Sequence, residues 1–227
     1  LPAGETTGAV LCLHGVESHG GWFAETAEAM LHRNLAVVAF DRPGWGRSAG
    51  VRGHLDAYAD ALAHVAEVAT GLRERFPSVH LAGLSWGGLL AAYAGLRRGF
   101  LFDSITLIAP GICARTRPSA WQSMAVAARL AAGQPFARIR LPIRVEQFTR
   151  RADKLDDIRQ DPLRVKAVSA RFCLETVKMR RFVAETLGRR QLPPTRALLA
   201  ADDTIVDNAR TRALLARGNV ATRTYGG

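Results

Sequence analysis

His80-Leu81-Ala82-Gly83-Leu84-Ser85-Trp86-Gly87-Gly88-Leu89-Leu90 decides how this chain is read. It holds Gly-x-Ser-x-Gly between an apolar run, Val79 to Leu84, and a helix-forming run, Leu89 to Leu96. Strand, sharp turn and helix in that order hold such a serine in a strained backbone conformation with its hydroxyl exposed. Gly83 and Gly87 stand on either side, where a Cβ would meet neighbouring backbone. The helix that follows aims free N–H groups and its dipole at any negative charge that develops beside the serine. Gly-x-Ser-x-Gly also arises by chance; the flanking runs are what separate this one from coincidence.

Working outward, apolar runs and helical patterns alternate. Ala9 to Leu13 reads as a buried strand ending at His14-Gly15, and Trp22 to Arg33 has helical spacing. Leu35 to Phe40 is a second strand, followed by a loop rich in Gly and Arg from Asp41 to Gly53. Leu55, Tyr58, Leu62, Val65, Val68 and Leu72 mark one face of a long helix that Pro77 closes. Beyond the central stretch, Ile105 to Ala109 is a strand closed by Pro110-Gly111. Such alternation argues for an α/β fold, a mostly parallel sheet with helices on both faces. Active sites in such sheets lie at the carboxyl ends of strands, where His14-Gly15, Asp41 and Ser85 all fall.

The alternation breaks between Ile112 and about Leu192, where the pattern is helical with no convincing strand. Trp121 to Ala132 reads as one helix. Asp161-Pro162 reads as the start of another, with Asp as N-cap and Pro at the first helical position. Leu163, Ala167, Ala170, Leu174 and Val177 would mark one of its faces, and Val168, Phe172, Met179 and Phe182 another. Such a helix is either packed on both sides or a lid whose second face lines an apolar channel. Pro193-Pro194 closes the insert, and Arg196 to Ala200, Asn208 to Arg217 and Val220 to Tyr225 read as strand, helix and strand. The expected division is 1–111 and 193–227 for the core, with 112–192 as a helical insertion.

At 227 residues the chain suits one sizeable domain. No apolar run reaches the ~18 residues a membrane span requires. The net charge of +11 comes almost wholly from arginine, since Lys154, Lys166 and Lys178 are the only lysines. The arginines are spread rather than clustered and are not interleaved with aromatics, which speaks against nucleic acid as a partner. Cys12, Cys113 and Cys173 have no ligand spacing and read as free thiols of a reducing compartment.

A serine hydroxyl is a poor nucleophile until a base takes its proton, and a triad supplies that base as a histidine oriented by a carboxylate. The carboxylate candidates lie in Ala201-Asp202-Asp203-Thr204-Ile205-Val206-Asp207, just past a strand end. Asp207 also suits an N-cap of the next helix, and pattern alone does not separate Asp202 from Asp203. The second need is an oxyanion hole, each fixed donor of which is worth about 3–4 kcal/mol by deletion. One donor is the backbone N–H of Trp86, next after the serine; the other comes from His14-Gly15-Val16-Glu17-Ser18, the loop after the first strand. His14, placed before a glycine in a loop, reads as structural and not as the base.

These motifs together resemble the α/β-hydrolase family, and within it the monoacylglycerol lipase and lysophospholipase group. The matching residues are His14-Gly15-Val16-Glu17-Ser18-His19, Asp41-Arg42-Pro43-Gly44-Trp45-Gly46-Arg47-Ser48 with Gly50 and Arg52-Gly53, Gly83-Leu84-Ser85-Trp86-Gly87-Gly88, and Asp202 to Asp207. The resemblance covers nearly the whole chain. It implies that Ser85 is the nucleophile, Asp203 the triad acid, and Val16 and Trp86 the oxyanion donors, with the insertion as a cap. It implies hydrolysis of a carboxylic ester of monoacylglycerol or lysophospholipid type, without metal or cofactor, in the cytoplasm, with the cap as a candidate for peripheral membrane contact. A small-ester esterase, an aminopeptidase of the same fold and a non-catalytic binding relative are the alternatives. Two departures stand out. The group often has His where this chain has Leu84 and Met where it has Trp86. The group also places its catalytic histidine after the last strand, whereas His80 is the last histidine here. Tyr225-Gly226-Gly227 resembles the segment just before that histidine, so the expectation is a sequence truncated at its carboxyl end.

Overall fold

The computed structural model describes residues 6–115 and 120–226. Leu1 and Gly227, the outer limits of the expected division, lie outside the described residues. Six strands form one sheet: β1 (Gly8–Leu13), β2 (Leu35–Ala39), β3 (Val79–Leu84), β4 (Ser104–Ile108), β7 (Thr195–Ala200) and β8 (Ala221–Tyr225). Their order is β2-β1-β3-β4-β7-β8, and every neighbouring pair is parallel. All six residues of β1 are buried, as a strand covered on both faces requires.

The connection from β1 leads outward to β2, and the chain then returns to the other side of β1 to place β3. The loops after β1 and β3 therefore diverge, leaving a crevice at the carboxyl ends of these two strands, which is where open α/β sheets take their ligands. In register, Leu13 lies beside Gly83, so His14 and Ser85 leave the sheet at nearly the same level.

Helix α3 (Trp86–Arg98) runs through the centre, with every residue from Trp86 to Leu96 buried. It packs with α2 (Tyr58–Arg73) and α6 (Ala170–Thr186) in one apolar cluster, to which α6 contributes Phe172, Met179 and Val183. Tyr58, Tyr93 and Phe182 meet edge to face, with ring centroids 5.1 Å apart in both pairs. Helices α1 (Ala24–Leu31) and α7 (Asn208–Ala216) complete the layers. Asp207 does cap α7, its Oδ1 accepting from the Arg210 N–H at 3.0 Å.

Two expectations for the insertion are corrected. It contains strands: β5 (Arg138–Arg140) and β6 (Ala167–Ser169) pair antiparallel, on either side of α5 (Ala152–Gln160) and after α4 (Ala120–Ala131). Three residues apiece, with β5 largely exposed, leave too short a pattern to read. Asp161 also does not start a helix; it ends α5, and α6 begins only at Ala170, capped by Ser169 Oγ accepting from the Phe172 N–H at 3.0 Å. The Asp161 carboxylate instead accepts from the Leu163 N–H and from Trp22 Nε1, both at 2.8 Å, and meets His19 Nε2 at 3.1 Å. Asp-Pro serves a local turn as well as an N-cap, and distant partners select the turn.

Candidate active site

Ser85 sits at the turn between β3 and α3 with φ +54° and ψ −115°, a conformation that L-residues rarely adopt. The surrounding backbone holds it there. The Ser85 N–H donates to the Ile108 carbonyl at 2.9 Å, and the Ser85 carbonyl accepts from Gly111 at 2.7 Å, Gly88 at 2.9 Å and Leu89 at 3.1 Å. The turn closes only without side chains at its flanks. A Cβ on Gly83 would lie 2.3 Å from the Gly87 carbonyl oxygen, and one on Gly87 would lie 2.1 Å from the Leu13 carbonyl oxygen.

The loop after β1 comes up beside this turn: a Cβ on Gly15 would lie 3.5 Å from Ser85 Cβ. Among the described residues, neither the Val16 N–H nor the Trp86 N–H has a hydrogen-bond acceptor. The Trp86 N–H belongs to the first turn of α3, which has no intrahelical partner to offer it. Two unengaged donors, one from each loop, thus flank the serine.

His14 is not available as a base. Its Nδ1–H donates to the Gly15 carbonyl at 2.9 Å and its Nε2 accepts the Arg42 N–H at 3.2 Å, which fixes one neutral tautomer. Burial, together with the nearby Arg42 charge, holds its pKa well below the ordinary histidine value. The other histidines are tied elsewhere. His19 meets Asp161, and His54 bridges Ser169 Oγ and Asp56. His80 lies near the start of β3, about 16 Å down the strand from Ser85. His32 is exposed at the end of α1, and His64 lines a cavity of about 350 Å³ that Ser85 does not line.

The structure separates the three aspartates that pattern left open. Asp202 is exposed and pairs with Arg150 at 2.7 Å, and Asp207 caps α7. Asp203 is half-buried, and its Oδ1 accepts from the Ile205 N–H at 2.8 Å and the Val206 N–H at 2.7 Å. Those two bonds orient the carboxylate and leave Oδ2 for another donor. Asp203 follows β7, which is separated from β3 by β4 alone.

Several site-supporting residues were not legible in the sequence. Arg42 is buried and donates from Nη1 to the His14 carbonyl at 2.5 Å and from Nη2 to the Gly15 carbonyl at 3.0 Å. Glu17 and Arg164 form a buried ion pair between the loop after β1 and the segment before β6, with Oε2 2.7 Å from Nε and 2.5 Å from Nη2. Arg180 of α6 donates to the Gly111 carbonyl at 2.9 Å, one residue pair removed from the Ser85 carbonyl. Arg42 stands inside the Asp41-to-Ser48 motif, but nothing in that motif marks its burial, and nothing in spacing distinguishes Arg164 and Arg180 from the many exposed arginines. Asp41, by contrast, spends its carboxylate on the Gly20 and Arg47 N–H groups at 2.7 and 2.8 Å, tying its own loop to the segment that follows β1.

Burial pushes the thiol of Cys12 up to about 12 and that of Cys173 up to about 11, which disfavours both as thiolate nucleophiles near neutral pH. Among the described residues no group of three or more His, Cys, Asp or Glu side chains could hold a metal ion. No helix among them is long and apolar enough to cross a membrane.

The family model of serine aminopeptidase, S33 matches residues 4–225. The chain belongs to that family of α/β-hydrolases. It is 30% identical to rat (Rattus norvegicus) monoglyceride lipase over 119 residues, covering 50% of this chain and 38% of that protein. It is 24% identical to a phospholipase of Bacillus subtilis over 207 residues, covering 87% of this chain and 76% of that one. Across its curated relatives the matched stretch spans from 9% to 76% of their own lengths. The crystal structure of a Paleococcus ferrophilus monoacylglycerol lipase superposes with a TM-score of 0.86 at 22% identity, covering 99% of this chain and 86% of that one. The fold expected from the sequence is thereby confirmed.

Proposed function

We propose that this member of the family is a serine hydrolase that cleaves carboxylic esters through an acyl-enzyme on Ser85, with a monoacylglycerol or lysophospholipid as substrate. The observation that supports the reading is the strained, half-buried turn at Ser85 with two unengaged backbone N–H groups beside it. The relationship to a monoglyceride lipase and a phospholipase supports the substrate class.

In this reading Ser85 Oγ attacks the ester carbonyl as its proton passes to a histidine. The tetrahedral oxyanion accepts from the Val16 and Trp86 N–H groups, which stabilise charge absent from the ground state. Collapse expels the alcohol, the histidine returning its proton to the leaving oxygen, and water then hydrolyses the acyl-enzyme by the same route reversed. Asp203 Oδ2 would hold the histidine in the productive tautomer. Each of the six histidines of this sequence is tied or placed away from Ser85, so the reading requires a base from outside residues 1–227. The family description raises a second reading, aminopeptidase action on a peptide amino terminus through the same nucleophile.

The test is intact mass before and after a fluorophosphonate, with the adduct mapped by peptide sequencing, on the full-length protein. One adduct on Ser85 is expected. Monoolein, a lysophosphatidylcholine, short-chain nitrophenyl esters and an amino-acyl anilide then separate the substrate classes. No adduct on a full-length chain would sink the catalytic reading.

A further inference from the structure

Arg42 combines features that a purely structural arginine rarely shows together. Its side chain is buried without a carboxylate in hydrogen-bond contact among the described residues. Desolvation lowers its pKa to about 9, Asp41 offsetting that in part. Its charge rests on two carbonyls and two indole faces, with Cζ 4.7 Å from the Trp45 ring centroid and 4.3 Å from that of Trp86. Burying a charge this way is costly unless the geometry is held well.

What it grips decides its use. The carbonyls of His14 and Gly15 are consecutive, and a planar guanidinium presents two parallel N–H groups that match such a pair. A peptide unit is itself rigid and planar, with its C=O and N–H pointing in opposite directions. Clamping the Gly15 carbonyl therefore fixes where the Val16 N–H points. The Gly15 carbonyl takes a second bond from His14 Nδ1 at 2.9 Å, and the Val16 carbonyl accepts from Trp45 Nε1 at 2.6 Å, so both peptide units at Val16 are held.

The same guanidinium touches the other half of the site. Trp86 supplies the second unengaged N–H from its backbone, and its ring lies on Arg42. That ring is immobilised in turn, its Nε1 donating to Thr176 Oγ1 of α6 at 3.0 Å and its face lying 5.2 Å from the Phe172 centroid.

We propose that Arg42 is a positioning residue that, through the Gly15 carbonyl and the Trp86 indole, holds the Val16 and Trp86 N–H groups in mutual register as one oxyanion hole. The inference rests on the serine-hydrolase reading and extends it.

The test compares Arg42→Lys with wild type, each normalised to Ser85 that takes the fluorophosphonate. Lysine keeps the charge but is a point donor that cannot span two carbonyls. Four quantities are read: kcat, KM, the affinity for a trifluoromethyl ketone that becomes a bound oxyanion, and the melting temperature. Misaligning one donor should lower kcat by about 10- to 100-fold with KM within about threefold, since ångström displacements cost on this scale. Affinity for the ketone should fall in parallel. Wild-type kcat and ketone affinity in a folded Arg42→Lys protein would overturn the proposal, as would a kcat loss with unchanged ketone affinity. If Arg42→Lys does not fold, Trp86→Phe decides in its place, because it keeps the backbone donor and loosens the sandwich. It should show the same kcat and ketone losses at smaller size, and wild-type values would overturn the proposal. A wild type that takes no label removes the parent reading along with this one; a labelled wild type with unaffected variants removes this one alone.

Discussion

Replacing Arg164 by Met probes the buried ion pair under the candidate oxyanion loop. Arg164 and Glu17 are 6% and 2% exposed at their side chains, so solvent screens them little. Removing one partner of such a pair leaves an uncompensated charge and costs about 3–5 kcal/mol. For a domain of this size that is a fall in melting temperature of about 6–20 °C, at about 2–4 °C per kcal/mol. The loss should depend on pH with a defined sign. Desolvation already raises the Glu17 pKa above its ordinary value despite the opposing pull of Arg164 and Lys166. Without Arg164 the value must rise further. A carboxyl whose folded pKa exceeds its unfolded pKa gives stability that is present at low pH and lost as pH rises through the folded value. The variant should therefore be most impaired relative to wild type near pH 8 and recover toward it near pH 5. Adding Glu17→Gln should restore part of the loss near pH 8, because it removes the stranded charge. Calorimetric melting of the four proteins of this cycle at both pH values is the assay. A single-variant shift under about 2 °C, or one independent of pH, would refute the reasoning.

Three further outcomes are expected. Ser85→Ala should abolish the fluorophosphonate adduct and lower kcat by about 10⁶ while leaving the melting temperature near wild type, as mass spectrometry, ester assay and calorimetry would show. Asp203→Asn should lower kcat by about 10⁴ through loss of histidine orientation, whereas Asp202→Asn, which breaks an exposed pair worth at most about 1 kcal/mol, should leave kcat unchanged. Equal effects of the two on steady-state kinetics would refute that assignment. Gly87→Ala should cost more than about 4 kcal/mol or prevent folding, because its Cβ would meet backbone 2.1 Å away and neither strand nor helix can yield; a soluble variant with wild-type denaturant midpoint would disprove it.

The parallel sheet and the elbow were legible in the sequence because their signals are local. A strand buried on both faces must be continuously apolar, as β1 is, while β3 and β4 alternate buried and half-buried positions within runs that are still mostly apolar. The turn at Ser85 carries glycine on both sides within five residues; Gly83 is crowded by Gly87 and Gly88 nearby in sequence, whereas Gly87 is crowded by Leu13 and His14 at the end of β1. The N-cap at Asp207 is likewise read within three residues. Asp161 misled because its local chemistry suits two structures, and Trp22 and His19, more than a hundred residues away, choose between them. β5 and β6 are only three residues long, β5 largely exposed and β6 largely buried, which is too short a stretch for the alternation that identifies a strand.

The sequence by itself determined that apolar runs alternate with amphipathic helices, and so which fold the chain can bury its apolar side chains in. It also determined that a serine would stand at a strand-to-helix turn. Only the tertiary structure decided which of many arginines is buried between two indoles, that Asp203 and not Asp202 has its carboxylate oriented by backbone, and that Glu17 is paired across to Arg164. The physical reason is range. Backbone conformation and hydrophobic periodicity are written in neighbouring residues, whereas a buried charge finds its carbonyls, rings and counter-ions from elements that meet only once the sheet has closed over them.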